Sequence, residues 1–310
     1  MTPLFAFLND RSTTLADDVH EAQRRMSTFV RTYRQLTTRV RLRTDDELSG
    51  LELALDYPLA RWRNDESVDK EERSYFRTIV HRSPPLVDLP DQQEEAGATE
   101  AWLEGVRSQS CLAAYLASGL MLSFDADPPR WDRRELVIEV DALDQQLEIV
   151  RVPVELPHAS QPGHVDHWRT WIDFRLRTVG SAQELWERRN ELYPNLVLFP
   201  RVEDDLIRLS PDQFQQVRVK LDDLQRESER WTRGGFPHAQ LPNPSPESQP
   251  TMARYSDERT FTGPDGARQE FTWHLRYTPH AGRLYYHPNQ PGTVWIGYIG
   301  PHLPTVSDPS

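Results

Sequence analysis

From Leu15 to Leu36 the apolar residues Leu15, Val19, Ala22, Met26, Phe29, Val30, Tyr33 and Leu36 return at helical spacing, with Asp17 and Asp18 at the start. An amphipathic helix follows from that pattern, its acidic end matched to the helix dipole. Val40 and Leu42 alternate too briefly to decide between helix and strand. Residues 45–62 and 69–81 also read as helices, separated by the polar turn Asn64-Asp65-Glu66-Ser67, and Ser83-Pro84-Pro85 stops the second,. After an acidic loop at Pro90–Gly97, Thr99 is placed to cap a helix running to about Gly119, with Trp102, Val106, Leu112, Tyr115 and Leu116 on its apolar side,.

The pattern then shortens. Glu135–Asp141 and Leu147–Leu156 contain the β-rich runs Leu136-Val137-Ile138 and Ile149-Val150-Arg151-Val152 and predict a hairpin,. Helices are expected over His164–Arg177 and from Ser181 through Glu191, with a short buried strand at Leu196-Val197-Leu198-Phe199. At Ser210-Pro211-Asp212-Gln213 a cap residue, a proline at the first helical position and a glutamine at the third form a helix start,. The helix beyond it buries Phe214, Val217, Leu221, Leu224 and Trp231 and stops at Gly234-Gly235,. Five prolines in 236–250 read as a linker, and 259–262, 268–277, 283–287 and 293–299 read as an antiparallel meander with turns at 263–266, 279–282 and 289–292,. The expected fold is α+β: a mainly helical region over 1–125, a mixed section over 126–235 ending in a long helix, a proline-rich linker over 236–250 and a sheet module over 251–310.

Composition narrows the functional classes. A formal charge of −12 opposes broad affinity for phosphate backbones, but residues 251–310 carry five arginines against five acidic residues, so that section is the less repulsive candidate for nucleic acid,. The basic side chains are nearly all arginine, with only Lys70 and Lys220 as lysines. Cys111 is the sole cysteine, which excludes an intramolecular disulfide; its apolar surroundings suit a buried, inert thiol,. No basic-then-apolar leader opens the chain and no apolar stretch reaches about 18 residues, so a cytoplasmic protein without membrane association is expected,.

The chemistry concentrates in Phe271–Tyr277, Gly282–His287 and Trp295–Leu303. Period-two geometry puts His274 and Arg276 on one face of a strand, and Arg283 and Tyr285 on one face of the next,. If those faces coincide, imidazole, guanidinium and phenol converge, a set suited to holding a phosphate, stacking a base and moving a proton. The alternative is that Arg and His line the solvated face of a sheet whose other face is core. The stretch resembles the sheet of the RelE-like toxin superfamily, in which a long helix precedes a small antiparallel sheet and a strand carrying Arg leads into one carrying Tyr. The likeness covers about 50 of the 310 residues, and family members are smaller and basic. It implies phosphate binding by Arg276 or Arg283, acid–base work by His274 or His302, and a role for Tyr285. RNA or the ribosome would be the partner of a toxin-like or bacterial defence endoribonuclease. The competing expectation is a non-catalytic interaction protein whose helical N-terminal half binds a protein partner.

His158, His164 and His167 form a second constellation. Two histidines three apart at a helix start share a face, and a third from the preceding loop would complete a metal site. Pro162-Gly163 equally marks a simple turn and helix start. The paired carboxylates read as solvated helix faces. No phosphate loop, dinucleotide fingerprint, zincin pair or nucleophile elbow is present, and no cofactor is expected,.

Overall fold

A computed structural model describes residues 4–36, 39–44, 48–81, 100–125, 130–143, 148–277, 282–306 and 308–309. The apolar start of the chain forms strand β1 (Leu4–Leu8), and α1 (Val19–Gln35) returns it to β2 (Val40–Arg43), parallel to β1 with Leu4 opposite Val40. Asp18 caps α1 by accepting from the Glu21 backbone N–H at 2.8 Å, and Ala22, Met26, Phe29, Val30 and Tyr33 are buried as the periodicity requires,.

Two expected helices are replaced by hairpins. Residues 45–62 hold β3 (Glu52–Ala54), β4 (Tyr57–Pro58) and one helical turn, α2 (Leu59–Trp62); Asp56, at φ 56°, reverses the chain between the strands,. The next helix, α3 (Lys70–His81), forms as expected. Residues 99–119 hold β5 (Ala101–Leu103), β6 (Val106–Arg107) and α4 (Gln109–Leu116). Glu104 and Gly105 both take positive φ, 52° and 75°, the conformation of a two-residue hairpin turn, so the helix starts only at its true cap, Ser108,. The Ser83-Pro84-Pro85 stop, the 90–97 loop and most of the 279–282 turn lie outside the described residues.

With β7 (Leu120–Leu122), β8 (Glu135–Leu143) and β9 (Ile149–Ala159), these strands build a seven-stranded sheet of order β2-β1-β7-β9-β8-β5-β6. β2, β1, β7 and β9 run parallel, and the expected hairpin β8–β9 turns the sheet antiparallel. Leu4, Ala6, Leu8, Leu120 and Leu122 pack with α1 on one face, while Phe7, Met121, Leu136 and Ile138 pack with α4 on the other. Burial on both faces explains why β1 and β7 read as plain apolar runs.

Helices α5 (Pro162–His167), α6 (Arg169–Leu176), α7 (Ala182–Glu187) and α8 (Arg189–Leu192) occupy the expected spans in shorter pieces, then β10 (Leu196–Leu198), α9 (Val202–Ile207) and α10 (Pro211–Arg230) follow. Both bonds of the Ser210–Gln213 capping box are made, at 3.3 and 3.0 Å,. The C-terminal section comprises β11 (Pro244–Pro246), α11 (Gln249–Tyr255), β12 (Thr260–Thr262), β13 (Arg268–Glu270), β14 (Trp273–Tyr277), β15 (Gly282–Gln290) and β16 (Thr293–Gly300). Its main sheet has the order β10-β16-β15-β14-β11, so the fold is α+β with the expected antiparallel meander over β14–β16 and α10 lying across it. Gly297 makes room for the rings above the sheet: a Cβ there would stand 2.6 Å from Phe271 Cζ.

The proline-rich stretch 236–250 is not a free linker. Phe236 and Leu241 are buried in the C-terminal core, and β11 pairs with β14. Gln240 accepts from Glu155 N and donates to Pro153 O, which ties the stretch to β9. Prolines cannot donate to a ladder, and β11 is accordingly the edge strand. Proteinase K at low ratio is therefore expected to leave 236–250 intact in the folded protein; a first cut there, mapped by mass spectrometry, would contradict this packing. Among the described residues, no helix is long and apolar enough to cross a membrane.

Candidate functional site

Antiparallel register decides whether the two strand faces coincide. His274 pairs directly with Tyr285, and Arg276 with Arg283, so all four side chains stand on one face of the sheet,. The His274 and Tyr285 ring centroids are 5.2 Å apart. His302, just beyond β16, lies within electrostatic reach of Arg283, Glu247 and Arg259, and its Nδ1 stands 4.0 Å from Asp308 Oδ2. The expected convergence of imidazole, guanidinium and phenol is therefore present in the geometry.

Two further residues complete the cluster. The Glu247 backbone N–H donates to Thr272 O at 2.8 Å, which extends the β11–β14 pairing by one residue and aims the carboxylate at the Arg/His face. Glu247 Oε1 accepts from the Tyr285 hydroxyl at 2.5 Å and stands 3.1 Å from Arg259 Nε and 3.3 Å from His274 Nδ1. Ser248 caps α11, and the turn after that helix delivers Arg259, whose N–H donates to Ser256 O and whose carbonyl accepts from Phe271 N. The Arg259 guanidinium is fully buried; Nη1 donates to Tyr255 O, and Nη2 has no hydrogen-bond partner among the described residues. Glu247 had a faint signal in the sequence, being the lone carboxylate in 236–250. Arg259 had none, since it follows Asp257-Glu258 and reads as a solvated ion pair.

Burial pushes the Glu247 carboxyl up, but His274, Tyr285 and Arg259 together outweigh it and hold the group down at about 2,. Burial brings His274 down to about 4 against the pull of Glu247, with Arg283 and Arg276 reinforcing the neutral form. Tyr285 is raised by burial and by the adjacent carboxylate, and His302 is lowered by burial and then by Arg283. At neutral pH the cluster thus holds an ionised carboxylate, neutral imidazoles and three guanidinium groups. His274, Arg283, Tyr285 and Arg259 are buried, whereas Arg276 and His302 are half-buried and reach solvent.

No family model, curated protein or solved structure matches this chain.

The histidine constellation resolves differently from a metal site. His158 is buried between two partners, Nδ1 on Arg133 O at 2.6 Å and Nε2 on Ser123 Oγ at 2.8 Å, and burial takes it down to about 4. His164 Nδ1 accepts from Ser160 N, and its Nε2 stands 3.1 Å from Asp132 Oδ1. His167 is exposed and packs edge-on against Trp168. The ring nitrogens serve the termination of β9 and the start of α5, and among the described residues no group of three His, Cys, Asp or Glu could hold a metal. Cys111 is buried, and burial pushes its thiol up to about 12, which removes the thiolate a nucleophile needs,.

Proposed function

We propose that this is a toxin-like or defence-associated protein whose C-terminal sheet engages RNA and cleaves it. The supporting observation is the cluster in which His274, Arg276, Arg283 and Tyr285 share one face of the sheet, with the Glu247–Arg259 pair against it and His302 at its margin. Guanidinium groups are matched to phosphate oxygens and stabilise the charge that develops at phosphorus in transfer. In this reading a phosphodiester approaches from the solvent side, at Arg276 and His302. A neutral imidazole takes the proton of the attacking 2′-hydroxyl as the 2′-oxygen bonds to phosphorus, Arg276 and Arg283 stabilise the pentacoordinate phosphorus, and the imidazolium so formed returns that proton to the departing 5′-oxygen, leaving a 2′,3′-cyclic phosphate. Glu247 and Tyr285 act behind that layer, fixing the orientation of His274.

Burial of Tyr285 and Arg259 favours the competing reading, a non-catalytic interaction protein in which the cluster only ties the sheet together. The two separate by experiment. Purified protein, alone and with cell extract or ribosomes, is incubated with labelled RNA; His274→Ala, Arg283→Ala and His302→Ala are expected to slow cleavage by about a hundredfold or more. Circular dichroism checks each fold. Absence of cleavage under every condition would replace the catalytic reading by the interaction reading.

A further inference from the structure

Charge is segregated in this acidic chain. Residues 20–43 contain seven arginines and one glutamate, although the whole carries −12. Glu21 is spent on Arg25, the pair lying within one turn of α1. Arg24, Arg31 and Arg34 are exposed on α1, and Arg41 is exposed on the edge strand β2. Among the described residues none of these four forms an ion pair with a carboxylate, whereas Arg175, Arg177 and Arg226 elsewhere all do.

At about 100° per residue, Arg24 and Arg31 stand nearly above one another and Arg34 lies on the flank next to them. The three span about 15 Å of helix axis at 1.5 Å per residue. Arg34 sits 4.9 Å above the Tyr75 ring, so a flat aromatic surface of α3 adjoins the last of them. Arg169 extends the row past the end of α1, its Nη1 donating to Gln35 O at 2.8 Å. Opposing charges border the row: Asp18 at the cap acts on Arg24, Glu72 accepts from Ser27 Oγ at 2.7 Å, and Asp166 stands 3.4 Å from Arg169 Nη2, which leaves Arg24, Arg31 and Arg34 as the part of the row without a carboxylate partner among the described residues. Among the described residues, none of the large hydrophobic side chains that stand exposed belongs to this arginine row, so the row itself offers nothing to insert into a lipid surface,.

We infer that the exposed arginine row of α1, with Tyr75 at its end, is a docking surface for single-stranded RNA. A row of guanidinium groups follows a phosphate backbone, and Arg34, held over the Tyr75 ring, presents a planar group on which a base can stack,. The inference takes RNA as partner from the reading above but uses a different surface. It places substrate capture on the N-terminal section and leaves the C-terminal cluster to chemistry, which offsets the repulsion expected from the acidic remainder of the protein.

The test uses the full chain and a labelled 2′-O-methyl oligouridylate, which lacks the attacking hydroxyl and so reports binding without cleavage. Fluorescence anisotropy across a potassium chloride series is compared between the wild type and the triple variant Arg24→Gln/Arg31→Gln/Arg34→Gln. The triple variant is expected to bind at least about tenfold more weakly, with the slope of log affinity against log salt shallower by about 2. Tyr75→Leu is expected to weaken binding by about fivefold or more with the slope unchanged. Cleavage of the unmodified oligouridylate is measured alongside for every variant, so loss of cleavage and loss of docking are read separately. Equal affinity and slope in wild type and triple variant would overturn the inference, as would binding to anionic phosphatidylserine vesicles in place of the oligonucleotide.

Discussion

Glu247→Ala is expected to lower the free energy of unfolding by about 3–5 kcal/mol, the usual cost of leaving a buried charge without its partner. One carboxylate oxygen serves the Tyr285 hydroxyl, Arg259 Nε and His274 Nδ1 together. Removing it strands a guanidinium that has no exposed surface at all. Arg259→Ala is expected to cost a comparable amount, since it leaves Glu247 with only neutral partners and opens a cavity beside the Tyr285 ring. The double variant Glu247→Met/Arg259→Met is expected to cost well under the sum of the two single changes, because it removes both charges and refills the space. Urea denaturation at pH 7.5 with fixed m-value measures all of these. A loss below about 1 kcal/mol in Glu247→Ala would mean that water reaches the cluster and solvates Arg259, which behaves then as a surface pair.

The same cluster shows what was legible in the sequence. Alternation along β14 and β15 put His274 with Arg276 and Arg283 with Tyr285, and the short connection between the strands brought the two pairs face to face. The residues behind them were hidden because a lone glutamate in a proline-rich run carries no periodic signal and its pairing partner lies some 25 residues away along the chain. The prolines themselves misled: they report that the backbone N–H is unused, which is as true of an edge strand such as β11 as of a linker. Elsewhere α1, α3 and α10 were readable from apolar spacing and caps, which are local. The hairpins β3–β4 and β5–β6 were read as helix, since strands of two or three residues are too short for alternation to stand out from helical spacing. β1 pairs with residues 40–43 and 120–122, and no local pattern encodes partners so distant.

Stability is expected to fall steeply as pH drops from 6.5 towards 4.5, by on the order of 5 kcal/mol. Three histidines are held neutral most strongly in the folded protein: burial takes His158 and His274 down to about 4 and His238 down to about 3. His238 stacks on Trp273 at 3.8 Å and its Nδ1 lies 2.7 Å from the Tyr286 hydroxyl, and among the described residues it has no anionic partner to receive a charge. In the unfolded chain the same groups bind protons near pH 6.5, so below that value the unfolded state gains protons that the folded state does not. Each histidine then costs on the order of 2 kcal/mol by pH 4.5. Glu247 contributes little in this window, because with a folded value of about 2 its stabilisation is lost only as pH falls from the ordinary glutamate value of about 4.5 towards 2,. Asp222 runs the other way: burial raises it to about 6 despite Arg175 and Arg177, so its protonation on acidification returns about as much as one histidine removes. Against a total stability of about 5–15 kcal/mol, the balance places acid unfolding near pH 4.5. Urea midpoints at half-unit pH steps measure the slope, and His238→Gln is expected to flatten it by about a third. A midpoint unchanged between pH 6.5 and 4.5 would show that these imidazoles accept protons in place, which requires water or an anion beside them.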